Sequence, residues 1–99
     1  MSVKHDQEKI RPFLVFGAFG NALTAVAEVG TFGAKKYSDN GWLSVENALE
    51  RYSEAELRHW LQMQTGEDYD QESGLLHLAH KAWNALAVLE LTIRDGRHD

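Results

Sequence analysis

Three polar side chains near the C-terminal end, His77, His80 and Asn84, stand at positions i, i+3 and i+7. On a helix that spacing puts them on one line, suited to converging on a ligand or a metal ion. Just upstream, Glu67, Asp68, Asp70 and Glu72 form a dense acidic run, which offers the oxygen ligands that Mg²⁺ or Mn²⁺ prefer. Both features have plainer readings. Histidines on a buried helix face serve in ordinary hydrogen-bond networks, and carboxylates ahead of a helix N-terminus complement its dipole.

Further polar groups fall where apolar ones are expected. Val45, Leu49, Tyr52, Trp60 and Met63 mark an apolar arc, and Glu56 and His59 lie inside it. A buried carboxylate there needs a cation or a metal, and a buried imidazole needs partners for both nitrogens. A Glu–His or Glu–Arg hydrogen bond would satisfy them as well as a site would. Lys35 and Lys36 either complement a helix C-terminus or meet a polyphosphate. Trp42, after Gly41, is either a core plug or a platform on which a base stacks. Glu28 points away from its helix's apolar side, towards solvent.

These residues need three helices to hold them. Phe16, Phe19, Leu23, Val26, Ala27, Gly30, Ala34 and Tyr37 share one side at helical period, predicting a first helix from Phe16 or Phe19 to Tyr37. Its middle is small, so another helix can approach closely. Ser38-Asp39-Asn40-Gly41 is a turn cluster. Ser44 is placed to cap a second helix reaching Gln64 and closed by Gly66. After the acidic loop, with Asp70 or Ser73 as cap, a third helix runs from Leu75 to Thr92 or Ile93. Its core face is read as Leu75, Leu78, Ala79, Ala82, Trp83, Leu86, Leu89 and Ile93. The opposite stripe of His77, His80, Asn84, Ala87, Val88 and Leu91 is then left to meet another subunit, with the polar end in a cleft. Residues 1–12 read as an extended arm and 94–99 as a charged tail. No window alternates with period two, so the expected class is all-α, a compact domain of three main helices.

Ninety-nine residues make one domain, small enough to benefit from a homo-oligomer. A net charge of −5 with scattered cations argues against binding a nucleic acid duplex. No stretch is apolar enough for a membrane span, and the charged start is unlike a signal peptide, so a cytoplasmic protein is expected. There are no cysteines, which removes disulfides and thiolate chemistry.

One set of motifs goes further. Thr31-Phe32-Gly33-Ala34-Lys35-Lys36-Tyr37, then Asn40 and Trp42, Leu57-Arg58-His59, Gly66-Glu67-Asp68, Asp70, Glu72-Ser73-Gly74-Leu75, His77-Leu78, His80 and Trp83-Asn84-Ala85-Leu86 occur in this order. Together with the opening Asp6-Gln7-Glu8-Lys9, this pattern resembles the phage dATP/dGTP diphosphohydrolase N-terminal domain family, over about residues 6–91. The resemblance implies a helical, oligomeric relative of MazG-like enzymes. Those use Mg²⁺ held by carboxylates to cut nucleoside triphosphates into monophosphate and pyrophosphate. Carried onto this chain, it implies metal held by Glu67, Asp70, His77 and His80, with Glu67 and Asp70 catalytic. Lys35, Lys36, Trp42, Arg58, His59 and Asn84 would then contact the nucleotide.

The chain departs from the MazG pattern of ExxE followed by ExxD. It has Glu56-x-x-His59 and His77-x-x-His80 on its helices, and Glu67-x-x-Asp70 in a loop. Histidines suit Mn²⁺ or Fe²⁺ better than Mg²⁺. Three readings stay open, two of them a metal-dependent (d)NTP pyrophosphohydrolase and a non-hydrolysing phage sponge for a cyclic dinucleotide or ADP-ribose signal of host defence. A structural protein with a buried histidine network is the third.

Overall fold

The computed structural model describes residues 9–96. Its helices are α1 (Phe13–Phe16), α2 (Gly20–Lys36), α3 (Ala48–Gln64) and α4 (His77–Arg94). A 3-10 turn, Gly41–Ser44, lies between α2 and α3. Among the described residues there is no strand, only an isolated antiparallel bridge between Tyr69 and Leu76. The class is all-α with three long helices.

Each boundary has a local cause. The first predicted helix is interrupted after Phe16, where Gly17 and Gly20 flank Phe19, whose backbone (φ −106°, ψ 33°) is non-helical. Glycine disfavours helix continuation by about 1 kcal/mol relative to alanine. Ser44 closes the 3-10 turn and does not cap α3. That helix begins after Asn47, held in the left-handed region at φ 55°, which asparagine tolerates better than most residues. α3 ends at Gln64 as expected, and Gly66 follows at φ 92°, the backbone that stops helices at glycine.

α4 begins at His77, two residues later than predicted, with Leu76 in the cap position and no side-chain cap. Asp70 and Ser73 are occupied elsewhere. The Ser73 N–H donates to Asp70 Oδ2 (2.9 Å) and the Leu75 N–H to Ser73 Oγ (3.1 Å). With Asp70 N–H on the Leu75 carbonyl (2.7 Å), these bonds fold the acidic segment into a closed turn. Of the expected arm, residues 1–8 lie outside the described residues, and the chain turns into α1 directly after Pro12. Of the expected tail, Arg94 is still helical and residues 97–99 lie outside.

The larger correction concerns which side of α4 is inside. His77 is 2%, His80 8% and Asn84 6% exposed, with Ala87 of the same stripe buried too, while of the expected core face Ala79 is buried as read. That stripe is covered within this chain, where α3 packs along α4. Leu78, Leu86, Leu89 and Ile93, read as core, are exposed. The reason is chemical matching. α3 turns its own polar groups, Glu56 and His59, towards α4, and these join to Lys81 and His77. Glu56 thus pairs with a lysine (3.1 Å), not with a histidine or an arginine. Trp60, counted in the apolar arc of α3, is exposed as well.

α2 crosses α4 through its small middle. A Cβ built on Gly30 would lie 3.4 Å from Trp83 Nε1, so this glycine lets the indole pack against the helix backbone. Gly30→Ala should therefore be close to neutral, its helix propensity offset by a tight contact. Gly30→Leu should destabilise by about 1–3 kcal/mol through overpacking, read as a lower urea midpoint with altered tryptophan fluorescence.

Candidate nucleotide and metal site

The polar seam between α3 and α4 opens on a cleft of about 1670 Å³. His59 lines it, and behind it His59 Nδ1 and His77 Nδ1 lie 2.8 Å apart. His77 Nε2 is 2.7 Å from Glu67 Oε1. One tautomer satisfies all three groups: His77 donates Nε2–H to the carboxylate, and its bare Nδ1 accepts from His59 Nδ1–H. The neighbouring ring of His80 stacks on His59, with centroids 4.6 Å apart and planes 8° from parallel. His80 Nε2 is 2.7 Å from Ser73 Oγ and 3.7 Å from Asp70 Oδ2. Phe32, from α2, sets its edge against the same imidazole.

The electrostatics follow from this crowding. Burial, then the adjacent His80 and His77, push the His59 imidazole down from an ordinary 6.5 to about 4. Burial also lowers His80, against the pull of Asp70. Burial raises the Asp70 carboxyl, but the N–H and hydroxyl of Ser73 outweigh it and hold the group below its usual range. At neutral pH the wall therefore presents His59 and His80 as neutral imidazoles beside an ionised carboxylate. His59, Asp70 and His77 each place one ligand atom within 4.8 Å of the others. Two imidazole nitrogens and a carboxylate oxygen make a donor set for a borderline divalent cation. Glu67 sits behind His77, where a carboxylate orients a metal-binding histidine.

The expected site residues divide into three groups. His59, Asp70, His77, Glu67 and His80 come together at the seam, the cleft being lined by His59, Asp70 and His80; the three-donor cluster takes His59 where Glu67 and His80 were expected. Trp42, Arg58, Asn84 and Lys36 border the cleft. Lys36 is engaged there with Glu72 at 2.7 Å. Lys35 is exposed and lies away from the cleft.

Some contributors were not foreseen. Ser73 links His80, Asp70 and the loop backbone, a role that a residue read only as a helix cap does not reveal. Trp83 and Tyr52 join Trp42 in an edge-to-face cluster, with centroids 5.5–6.0 Å apart, and the Tyr52 hydroxyl donates to the Trp42 carbonyl (2.7 Å). From the sequence both count as core, and the small stripe around Gly30 is the only hint of this cluster.

Comparison with known proteins supports the resemblance. A model of the family described as dATP/dGTP diphosphohydrolase, N-terminal, matches residues 2–99. The chain belongs to that family. A relative from Salmonella phage PMBT28, named dATP/dGTP diphosphohydrolase, is 35% identical over 89 residues. The match takes in 90% of this chain but 29% of the relative, so the chain spans under a third of that protein's length. No solved structure matches significantly.

The depressed histidines have a measurable consequence. His59 and His80 bind protons less readily folded than unfolded, so stability is fully present above pH 6.5 and is lost as pH falls towards about 4. Metal-free protein should show a falling melting temperature across that window, and His59→Gln should flatten the dependence.

Proposed function

We propose that residues 1–99 form a single nucleotide-handling domain acting as a metal-dependent (d)NTP pyrophosphohydrolase, giving monophosphate and pyrophosphate. The observation that carries this reading is the convergence of His59, Asp70 and His77, with His59 and Asp70 lining a cleft that Trp42 and Trp83 also border. The relative's name supports it independently. Of Mg²⁺ and Mn²⁺, the donor set favours Mn²⁺, because imidazole nitrogens serve it better. Such a cation supplies Lewis-acid polarisation of phosphate oxygens.

The chain's own residues do the rest. To offer Nδ1, His59 carries its proton on Nε2 instead, while Glu67 keeps His77 in the tautomer with Nδ1 bare. Asp70, ionised and facing the cleft, takes the proton of the water that attacks the α-phosphorus. The bond to the bridging oxygen breaks, and pyrophosphate leaves with that electron pair. Arg58 offsets phosphate charge, as does Lys36 once it exchanges Glu72 for the ligand. Trp42 takes the face of the base. His80 buttresses His59 by stacking.

A second reading is favoured by the presence of one carboxylate among the three converging donors. In it the chain is a non-hydrolysing sponge that holds a cyclic dinucleotide or ADP-ribose derivative against host defence. Either role belongs in a host cytoplasm, by analogy with the phage relative. Pyrophosphate release from dATP or dGTP with Mn²⁺ separates the two. Hydrolysis predicts turnover that falls at least a hundredfold in His77→Ala and in Asp70→Ala. A sponge predicts no turnover, and intact ligand recovered in stoichiometric amount after heat denaturation.

The homo-oligomer is proposed to form through the uncovered apolar groove lined by Val15, Phe19, Leu23, Val26, Leu86 and Leu89, and not through the histidine stripe. Burying such a surface drives association. Light scattering should give a multiple of the 11.2 kDa chain, reduced to the monomer in Leu86→Glu.

A further inference from the structure

We infer that Arg51 reads the edge of the base and selects guanine, its guanidinium donating in parallel to O6 and N7; the inference rests on the pyrophosphohydrolase reading above. Three lysine or arginine side chains border the cleft: Lys36, Arg51 and Arg58. Lys36 is held by Glu72. Among the described residues neither arginine is in an ion pair, although Glu50 and Glu54, near Arg51 in sequence, border the same cleft. Arg51 is exposed and stands in the first turn of α3, where the helix dipole favours anions over cations. Its fork of donors, set against the local electrostatics, is free to meet a ligand.

α3 itself gives the order along the cleft. Tyr52 packs edge-to-face on Trp42 and Trp83, with centroids 6.0 and 5.5 Å away. His59 stacks on His80 and meets His77. Between Tyr52 and His59 lies about 10.5 Å of helix, at 1.5 Å per residue. Each arginine goes with its neighbour. Burial raises the Tyr52 phenol and the charge of Arg51 opposes it, while burial and the nearby imidazoles depress His59 and Arg58 adds to them. Arg58 thus belongs to the end with the donor cluster, proposed for the phosphates. Arg51 belongs to the aromatic end, proposed for the base.

The chemistry of the fork says which base. A guanidinium has donors only, fixed in a plane, and it pairs best with two adjacent acceptors. Of the two purines in the relative's name, guanine offers O6 and N7 side by side. Adenine carries an amino group in place of O6 and meets the fork donor to donor. With a base lying on Trp42, Arg51 therefore favours the guanine nucleotide and leaves adenine with a single acceptor.

Equilibrium binding of two probes decides this without any need for hydrolysis. The probes are the α,β-methylene analogues of dGTP and dATP, measured with Mn²⁺ present. Wild-type protein should bind the dGTP probe about tenfold or more tightly. Arg51→Ala should bind the two probes alike. Arg51→Lys, which keeps the charge and loses the fork, should lose most of the preference. Arg51 is exposed and in no ion pair, so both variants should fold. Equal affinity of the wild type for the two probes overturns the base contact and leaves the nucleotide reading standing. A preference that survives in Arg51→Ala also overturns it, including an equal loss for both probes, which a phosphate contact or stacking on any base would give. Binding of neither probe overturns the pyrophosphohydrolase reading and this inference together.

Discussion

The short contact between the Nδ1 atoms of His59 and His77, backed by Glu67 on the far nitrogen, sets the register of α3 against α4. The His77 imidazole is buried and that of His59 half-buried at the cleft, and each gives the other a partner. Were one removed, a buried ring nitrogen would lose its partner, at a cost of the order of 1–3 kcal/mol. Everything else at the wall follows from this pairing. It presents the ring of His59 for His80 to stack on, and it directs the Glu67 side of the loop towards α4.

The acidic turn is the second half of the same design. Asp70 and Ser73 bond each other and the loop backbone, which leaves α4 without a side-chain cap but brings an ionised carboxylate to the histidines. Local helix stability, of order 1 kcal/mol for a good cap, is given up for that placement. Ser73 holds Asp70 ionised beside the neutral imidazoles of His59 and His80, and Asp70 and His59 belong with His77 to the donor cluster. The seam that joins the helices also forms the cluster of three potential metal-ligand atoms.

Outward from the seam, polarity changes sharply. The far side of α4 carries Leu86 and Leu89, which with Phe19 of α2 edge an apolar groove. Among the described residues the chain buries His77, His80 and Asn84 alongside Val29, Ala79 and Ala87 and leaves many large apolar side chains outside, a departure from the usual sorting. A small helical unit can tolerate this because every fully buried polar side-chain atom among the described residues is satisfied.

Helical periodicity alone located three long helices and ended α3 at Gln64, because spacing of apolar residues and a glycine stop are local properties. The order of motifs also placed the chain in its family. Sequence could name His59, Asp70, His77, His80 and Asn84 as chemically capable, since their types and spacing are on the page of letters. It could not tell which face of α4 is buried. Apolar content pointed to Leu78, Leu86 and Leu89, whereas the outcome depended on His59 and Glu56 arriving opposite from another helix. Likewise Ser73 reads as a cap until the turn closes around it. Tertiary structure decided these points because they are pairings between segments, and a pairing has no signature in either segment alone.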